Sequence, residues 1–398
     1  MTQRNLFLFS CRDNHAITLT SEFRHRFGAE PGDMDIYFYD WDGGPEIDPA
    51  AFDFPVIGRA EGAALGPGAV RSAFLCSLTP SNAAALRDLA ARTGLEMDRV
   101  CVFVTDDEVE RWSTHLATHG GWTPGVQDHI DEAVIEMVGR IRKYLCPYEP
   151  FGRMLEGILG PDTEILDIPS LPPVVTDPVV NAVMADRVRP NIEAHTARTR
   201  SINVMVMTKP RPWPAWRGHM RALLRYLLTG TRQRDLGVYV WRKRARWPLS
   251  HRIEAAALFG LIAAVSAVNR LRRRPRADLR WLSSLTREEY LMTIYRCHAL
   301  IGPSRSGGGA MAEFLRNGKL VFFPEGSVNA LVNQKARGID TPPTGPDEFH
   351  RLTAMIADGQ AEAFGTTAAE GIRRVEERAR SRFATQIRRD FWGVGPDT

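Results

Sequence analysis

Apolar residues fall into short runs separated by stretches of helical spacing, and this alternation recurs along most of the chain. In the first half, residues 5–10, 35–39, 71–78, 100–104 and 164–168 are apolar or β-branched runs of strand length. Residues 18–27, 81–93, 106–115 and 128–145 instead carry apolar positions three and four apart, the mark of an amphipathic helix. Ser81 is a suitable N-cap, and Asp106, Asp107 and Glu108 put negative charge where a helix start favours it. Residues 148–157 predict one more short helix, after which Pro169, Pro172, Pro173 and Pro178 break the pattern.

The second half restarts the alternation. Strands are expected at 202–207, 236–241, 279–282, 299–302 and 319–323, and helices at 216–228, 250–271, 286–297, 310–315, 347–358 and 369–392. Thr286 and Glu289 have capping-box spacing. Strands alternating with helices predict an α/β fold of two Rossmann-like parallel-sheet domains facing a cleft, with the last helix packing back on the first domain. The expected boundaries are 1–175, a linker at 176–200, 201–368 for the second domain, and 369–398 for the crossing helix and tail. The 255–268 core of the 250–271 helix is apolar or small all round but shorter than the roughly 20 residues that span a bilayer. A helix buried against the sheet is therefore expected in preference to a membrane-dipping one.

Composition narrows the class. At 398 residues, with 44% hydrophobic and 25% charged content, the chain reads as a soluble two-domain globular protein. The apolar run at 6–9 is too short for a signal peptide, and five scattered cysteines without a Cys-x-x-Cys pair fit a reduced, cytoplasmic compartment. The formal charge of +4 conceals an asymmetry. Residues 209–274 hold sixteen Lys and Arg against Asp235 and Glu254, a net +14 that leaves −10 for the rest. Such a segment seeks phosphates, nucleic acid or an acidic membrane face. Trp213, Trp216, Trp241 and Trp247 lie among its charges, but no nucleic-acid module frames them, which ranks nucleic acid below a membrane surface.

The candidate chemistry centres on the turn between the strands at 299–302 and 319–323. Gly307, Gly308 and Gly309 let backbone N–H groups approach a ligand without Cβ interference, and the helix that follows aims its positive end at the same place. A phosphate site and a plain βα turn are both compatible with that run alone.

The pattern Leu282, Leu285, Thr286, Glu288, Glu289, Leu291, Tyr295, Ala299, Leu300, Ile301, Pro303 and Ser304, continued by Glu313, Phe314, Leu315, Asn317, Gly318, Lys319, Leu320 and Val321, resembles the C-terminal domain of nucleotide-sugar glycosyltransferases of the GT-B fold. The resemblance covers about residues 200–340, and the first half only through its strand–helix order. It implies that Glu313 binds the nucleotide ribose, that the glycine run with Ser306 meets the donor diphosphate, and that Lys209 and Arg211 supply positive charge, with Arg242 and Lys243 weaker candidates. Where the retaining branch places its first acidic residue, this chain has Arg305, and a guanidinium favours a phosphate or carboxylate over sugar hydroxyls.

Glycosyl transfer needs the leaving phosphate stabilised, which N–H groups, a helix end and basic side chains supply without a metal or further cofactor. An acceptor base is expected at His15, with Asp13 two residues before it, and matters for an inverting reaction. The expected partners are a nucleotide sugar, a glycan or lipid-linked acceptor, and an anionic membrane surface met by the 209–274 segment from the cytoplasmic side. A nucleotide-sugar epimerase, a pyruvyl-type transferase and a non-catalytic glycan or partner binder stay open as alternatives. Two weaker constellations complete the reading. Asp40 and Asp42 have the Asp-x-Asp spacing of a metal-dependent transferase, and His115 and His119 share a helix face near His129.

Overall fold

The computed structural model describes residues 3–13, 15–169, 171, 173–199, 201–207, 213–230, 234–241, 248–282, 285–305 and 307–393. The chain divides into two compact units, residues 1–172 with 375–398, and residues 173–374.

Among the described residues, the first unit is built on seven parallel strands, β1 (Arg4–Phe9), β2 (Asp35–Phe38), β3 (Val56–Ile57), β4 (Val70–Cys76), β5 (Val100–Phe103), β6 (Lys143–Leu145) and β7 (Glu164–Leu166). Their order is β3-β2-β1-β4-β5-β6-β7. Two strands were not legible as runs of their own. β3 has only two residues, too few to show alternation. β6 lies inside the stretch that the spacing assigns to one helix at 128–145. That helix is Glu132–Arg140, Ile141 turns to an extended conformation, and Lys143–Leu145 pairs with β5 and β7. Val138, Ile141 and Leu145 are all buried, so the apolar spacing of the helix runs on unbroken into the strand.

The core of this unit is aromatic. Phe7, Phe23 and Phe74 converge from β1, the first helix and β4, and the C-terminal segment adds Phe383, Ile387, Phe391 and Trp392, all buried. Phe383 meets Phe23 edge-on at 5.1 Å and stacks on Phe27 at 5.2 Å, while Phe391 meets Phe74 edge-on at 5.2 Å. Such pairs contribute about 0.5–1.5 kcal/mol each beyond the area they bury. Ion pairs Arg26–Glu376 and Arg382–Asp167 flank the seam. The C-terminal helix thus packs back on the first domain.

The second unit carries five described parallel strands, β8 (Ile202–Met207), β9 (Leu236–Trp241), β10 (Ala277–Leu282), β11 (Ala299–Ile301) and β12 (Leu320–Phe322), in the order β10-β9-β8-β11-β12. The stretch between the two sheets is itself helical, with segments Pro178–Val183, Met184–Val188 and Arg189–Ala197. Arg189 donates to the Asn317 side chain and Arg287 to Thr176, which fasten this stretch to the second unit. Helix Arg287–Arg296 begins with the expected Thr286–Glu289 capping box. It ends against Lys319, whose Nζ donates to the carbonyls of Ile294, Tyr295 and Cys297, a positive charge where the helix dipole is negative.

Helix Leu249–Arg272 departs from expectation. Ala255 and Ile262 are buried against the sheet with Leu258, Phe259 and Val265 beside them, but the opposite face is exposed. Continuous apolarity did not mean burial on both sides.

Asn317 and Gly318 end helix Gly308–Arg316, and Gly318 adopts a left-handed φ of 64°. The long helix Gln360–Arg382 crosses this turn so closely that a Cβ on Gly365 would lie 2.2 Å from the Gly318 carbonyl oxygen. Backbone blocks the way, so relief requires the helix to move. Gly365→Ala is expected to destabilise the second unit by about 1–3 kcal/mol in urea unfolding, and an unchanged midpoint would rule out this close crossing.

Candidate functional site

In the second sheet β8 and β11 lie side by side, yet the chain moves outward from them in opposite directions, to β9 and to β12. Such a switch point leaves a crevice at the carboxyl ends of the two strands, where ligands of open parallel sheets bind. The glycine turn sits there, since Ile301 pairs with Val206 and the chain then runs through Gly302, Pro303, Ser304 and Arg305 to Gly307.

The turn is held from outside. Asn329 donates from its backbone N–H to the Ser304 carbonyl at 3.0 Å, and from Nδ2 to the Pro303 carbonyl at 2.9 Å. Gly302 has Phe323 packed where a Cβ would stand, 2.3 Å away. Gly307 takes the N-cap position at φ 80°, a conformation that favours glycine, beside the Met207 side chain of β8. It offers no side-chain acceptor to the first-turn N–H groups of Gly308–Arg316, the kind of helix end at which anions bind. Gly308 differs from Gly307 and Gly302, because a Cβ there would meet none of the described residues within 4 Å. No described residue requires glycine at 308, whereas close approach of a ligand would.

The structure brings Arg305, Gly307, Gly308 and Gly309 together on this turn, with Arg305 half-buried. Glu313 sits further along the same helix, buried, and its Oε1 accepts from Arg316 at 2.8 Å. The pairing draws the carboxylate toward the helix C-terminus. Arg316 in turn faces the buried Arg337, whose pKa is lowered to about 9 by burial and then by the Arg316 charge. Ser306, Lys209, Arg211, Arg242, Lys243 and Trp247 lie outside the described residues. Trp216 is a core residue, fully buried and stacked on Phe259 at 5.6 Å.

A cavity of about 680 Å³ opens at the other edge of this sheet, lined by the residues that begin β8, β9 and β10. Its Arg276 and Arg280 are paired with Asp235 and Asp278. The cavity is therefore remote from the glycine turn and partly neutralised by its own carboxylates.

The first sheet has its own switch point, between β1 and β4. The turn after β1 carries Asp13, half-buried, and His15, exposed at the N-cap of helix Ala16–Glu22. Asp13 Oδ1 accepts from the backbone N–H of His15 at 2.8 Å, so this hydrogen bond shapes the turn and leaves the imidazole out of it. Burial raises the Asp13 pKa above the ordinary carboxylate value. Asp40 closes the turn, accepting from Ser10 Oγ at 2.6 Å and from the Cys11 N–H at 2.7 Å, while Asp42 faces Arg59. The Asp-x-Asp pair is thus divided between two tasks.

Three residues that sequence reasoning left aside shape this crevice. Ser77, after β4, holds a left-handed φ of 69° without being glycine. Glu108, fully buried, accepts from Ser77 Oγ and from the Leu78 N–H, and Asn82 donates to the carbonyls of Cys76 and Ser77. Tyr39 donates to Asn82 in turn. Strain of this kind persists only where surrounding bonds enforce it. The one sequence signal was an acid at a helix start, which also fits a surface role. Away from the crevice, His115, His119 and Asp128 come within 4.8 Å of one another, with Asp128 accepting from His115 Nδ1 at 2.8 Å, so that Asp128 rather than the nearby His129 joins the two histidines.

Two parallel-sheet units, each with a crevice at its switch point, are the architecture of GT-B glycosyltransferases. No family model matches the chain, and no curated protein matches it by sequence. Among solved structures, a sucrose-phosphate synthase from Thermosynechococcus elongatus is similar over 99% of this chain and 100% of that one, with a TM-score of 0.60 and 10% identity. An α,α-trehalose-phosphate synthase (UDP-forming) from Burkholderia xenovorans in complex with glucose-6-phosphate is similar over 96% and 99%, with a TM-score of 0.57 and 10% identity. An E. coli structure titled as trehalose-6-phosphate bound with UDP-2-fluoro glucose is similar over 97% and 99%, with a TM-score of 0.54 and 9% identity. At these identities the likeness establishes the GT-B fold.

Burial raises the Glu108 pKa despite the bonds from Leu78 and Ser77. A carboxyl raised in the folded state contributes stability that is complete below about pH 4 and is lost as pH rises through the folded value. Glu108→Gln removes that dependence, so the variant should gain stability relative to the parent as urea unfolding is repeated from pH 4 to about 7. A variant that loses ground with rising pH would show that the accepted hydrogen bonds outweigh burial.

Proposed function

We propose that this chain is a glycosyltransferase that takes a nucleotide-sugar donor at the glycine turn of its second unit. The observation that carries the reading is the helix N-terminus at the β8–β11 switch point, entered through left-handed Gly307, with no described residue within 4 Å of where a Cβ on Gly308 would stand. Departure of the nucleotide leaves charge on its phosphate, and N–H groups already fixed by a helix stabilise that charge without reorganisation. Arg305 adds a guanidinium, and Lys209 and Arg211, two and four residues beyond β8 in sequence, are assigned the same task with Ser306. No metal is needed for this chemistry. Arg305, at the first acidic position of the retaining pattern, favours a phosphate or a carboxylate-bearing sugar over a neutral hexose.

Structures titled with UDP-2-fluoro glucose and glucose-6-phosphate among the neighbours support a nucleotide-sugar donor and a sugar-type acceptor. Asp13 and His15 are the acceptor-side groups of the first unit, His15 taking the hydroxyl proton if the reaction inverts. The acceptor is a glycan or lipid-linked sugar of surface-polysaccharide synthesis, met on the cytoplasmic side of a membrane by the basic 209–274 segment.

Gly308→Val should fold normally, because its Cβ meets no described residue within 4 Å. It should lose donor-induced stabilisation, about 3 kcal/mol at a hundredfold excess over Kd, as read by thermal shift with a panel of nucleotide sugars. Nucleoside diphosphate release should require acceptor. Release or sugar isomerisation without acceptor would favour the epimerase alternative, and no shift with any nucleotide sugar would remove the enzyme reading. Glu313→Gln should raise the donor KM about tenfold with kcat unchanged if the carboxylate exchanges Arg316 for a ribose. Loss of stability alone would assign Glu313 to the ion pair.

A further inference from the structure

Helix Leu249–Arg272 is long and apolar enough to cross a membrane by composition, yet one of its faces is committed to the protein. Ala255, Ile262 and Asn269 are buried along that face, and Asn269 Nδ2 pins the far end by donating to the carbonyls of Leu227 and Pro275, both at 2.7 Å. A helix held along its length in this way cannot leave the sheet to span a bilayer. It can lie along one.

The outer face has the required character. Leu249, Ile253 and Leu271 are 70%, 62% and 86% exposed, and Leu261 and Val268 close to half. These five positions, with Ala257 and Ala264 between them, recur every three or four residues and form one stripe. From Ile253 to Val268 every exposed position is apolar or glycine, over roughly 24 Å of helix. A helix facing water ordinarily presents charge there. Trp281 of the edge strand β10 stands beside the helix, partly exposed, its ring stacked on Phe259 at 4.4 Å. Amphipathic tryptophans of this kind favour the headgroup level of a bilayer.

Charge decides the occupant. Arg252 is exposed at one end of the stripe and Arg270, Arg272, Arg273 and Arg274 at the other, while Glu254 is turned toward Arg217 at 3.5 Å. A second copy packed on this face by two-fold symmetry would set arginines against arginines. An anionic surface complements both ends at once and accepts the apolar centre between them.

We infer that the Leu249–Arg272 helix is an in-plane membrane anchor, its apolar stripe inserted at the headgroup boundary of an anionic phospholipid bilayer and its terminal arginines on the lipid phosphates. The inference deepens the membrane side of the proposed function and is independent of whether the chain transfers sugar. It also goes beyond electrostatic attraction, because insertion persists where charge is screened.

The test is flotation of the full-length protein with phosphatidylcholine vesicles containing about one third phosphatidylglycerol, and with phosphatidylcholine alone. Binding is expected to be much stronger to the anionic vesicles, with a measurable fraction retained at about 0.5 M salt. The double variant L261D/V268D, both positions on the exposed face, should fold normally by circular dichroism and lower the partition coefficient at least about tenfold. Binding that salt abolishes and this variant leaves unchanged would overturn insertion while preserving electrostatic attraction. An absence of binding to anionic vesicles would overturn both. Concentration-dependent dimerisation without vesicles, abolished by the same variant, would assign the stripe to a second copy. Donor-induced thermal shifts, measured in parallel without lipid, report on sugar transfer separately.

Discussion

Parallel strand pairing is the constraint from which the arrangement follows. A parallel strand can be re-entered only from the end at which its neighbour began, so each connection crosses the sheet and every loop that follows a strand emerges at the same edge. Where the order reverses, between β1 and β4 in one unit and β8 and β11 in the other, two such loops diverge and leave a crevice. The glycine turn and the Asp13–His15 turn both follow a switch-point strand. Residues far apart in sequence, such as Asn329 and Ser304 or Glu108 and Leu78, become partners because the sheets bring those edges together.

Within each crevice some residues turn their bonds inward and others stand on the turn itself. Asn329 and Phe323 hold the glycine turn, and Lys319 ends the helix before β11. Glu108, Asn82 and Tyr39 hold Ser77 in its left-handed conformation. These are buried or half-buried groups with their bonds turned inward. Arg305 and Gly308, by contrast, stand on the turn itself, and a Cβ on Gly308 would meet no described residue within 4 Å. The resemblance to a retaining motif carries over unevenly for the same reason. Lys319 and Asn317–Gly318 serve a helix end and a close helix crossing, roles that any ligand could accompany, whereas Arg305 changes the charge offered to one.

The Leu249–Arg272 helix illustrates how one pattern supports two environments. Its inner face joins the core around Trp216, and its outer face is equally apolar but uncovered. The same outer face carries arginines at both ends, which would set like charges together in a two-fold pair. Among the described basic residues of 209–274, Arg252 and Arg270, Arg272, Arg273 and Arg274 lie at the two ends of this apolar stripe.

Much of the fold was legible in the sequence, because long buried strands and capped helices write their period directly. The alternation, the capping box at Thr286, the glycine turn and the return of the C-terminal helix were all readable. β3 and β6 were not, since two- and three-residue strands have no period of their own and β6 continues the spacing of the helix before it. The site was readable as residue types but not as partnerships. Sequence distinguished Arg305 from an acid; only the folded chain joined Glu313 to Arg316 and Asp40 to Ser10, and gave Gly307 the left-handed conformation that favours glycine. The same division applies to the apolar helix. Sequence determined that it is apolar all round, but whether each face is covered depends on what the sheet and neighbouring helices bring against it, and that is a property of tertiary packing alone.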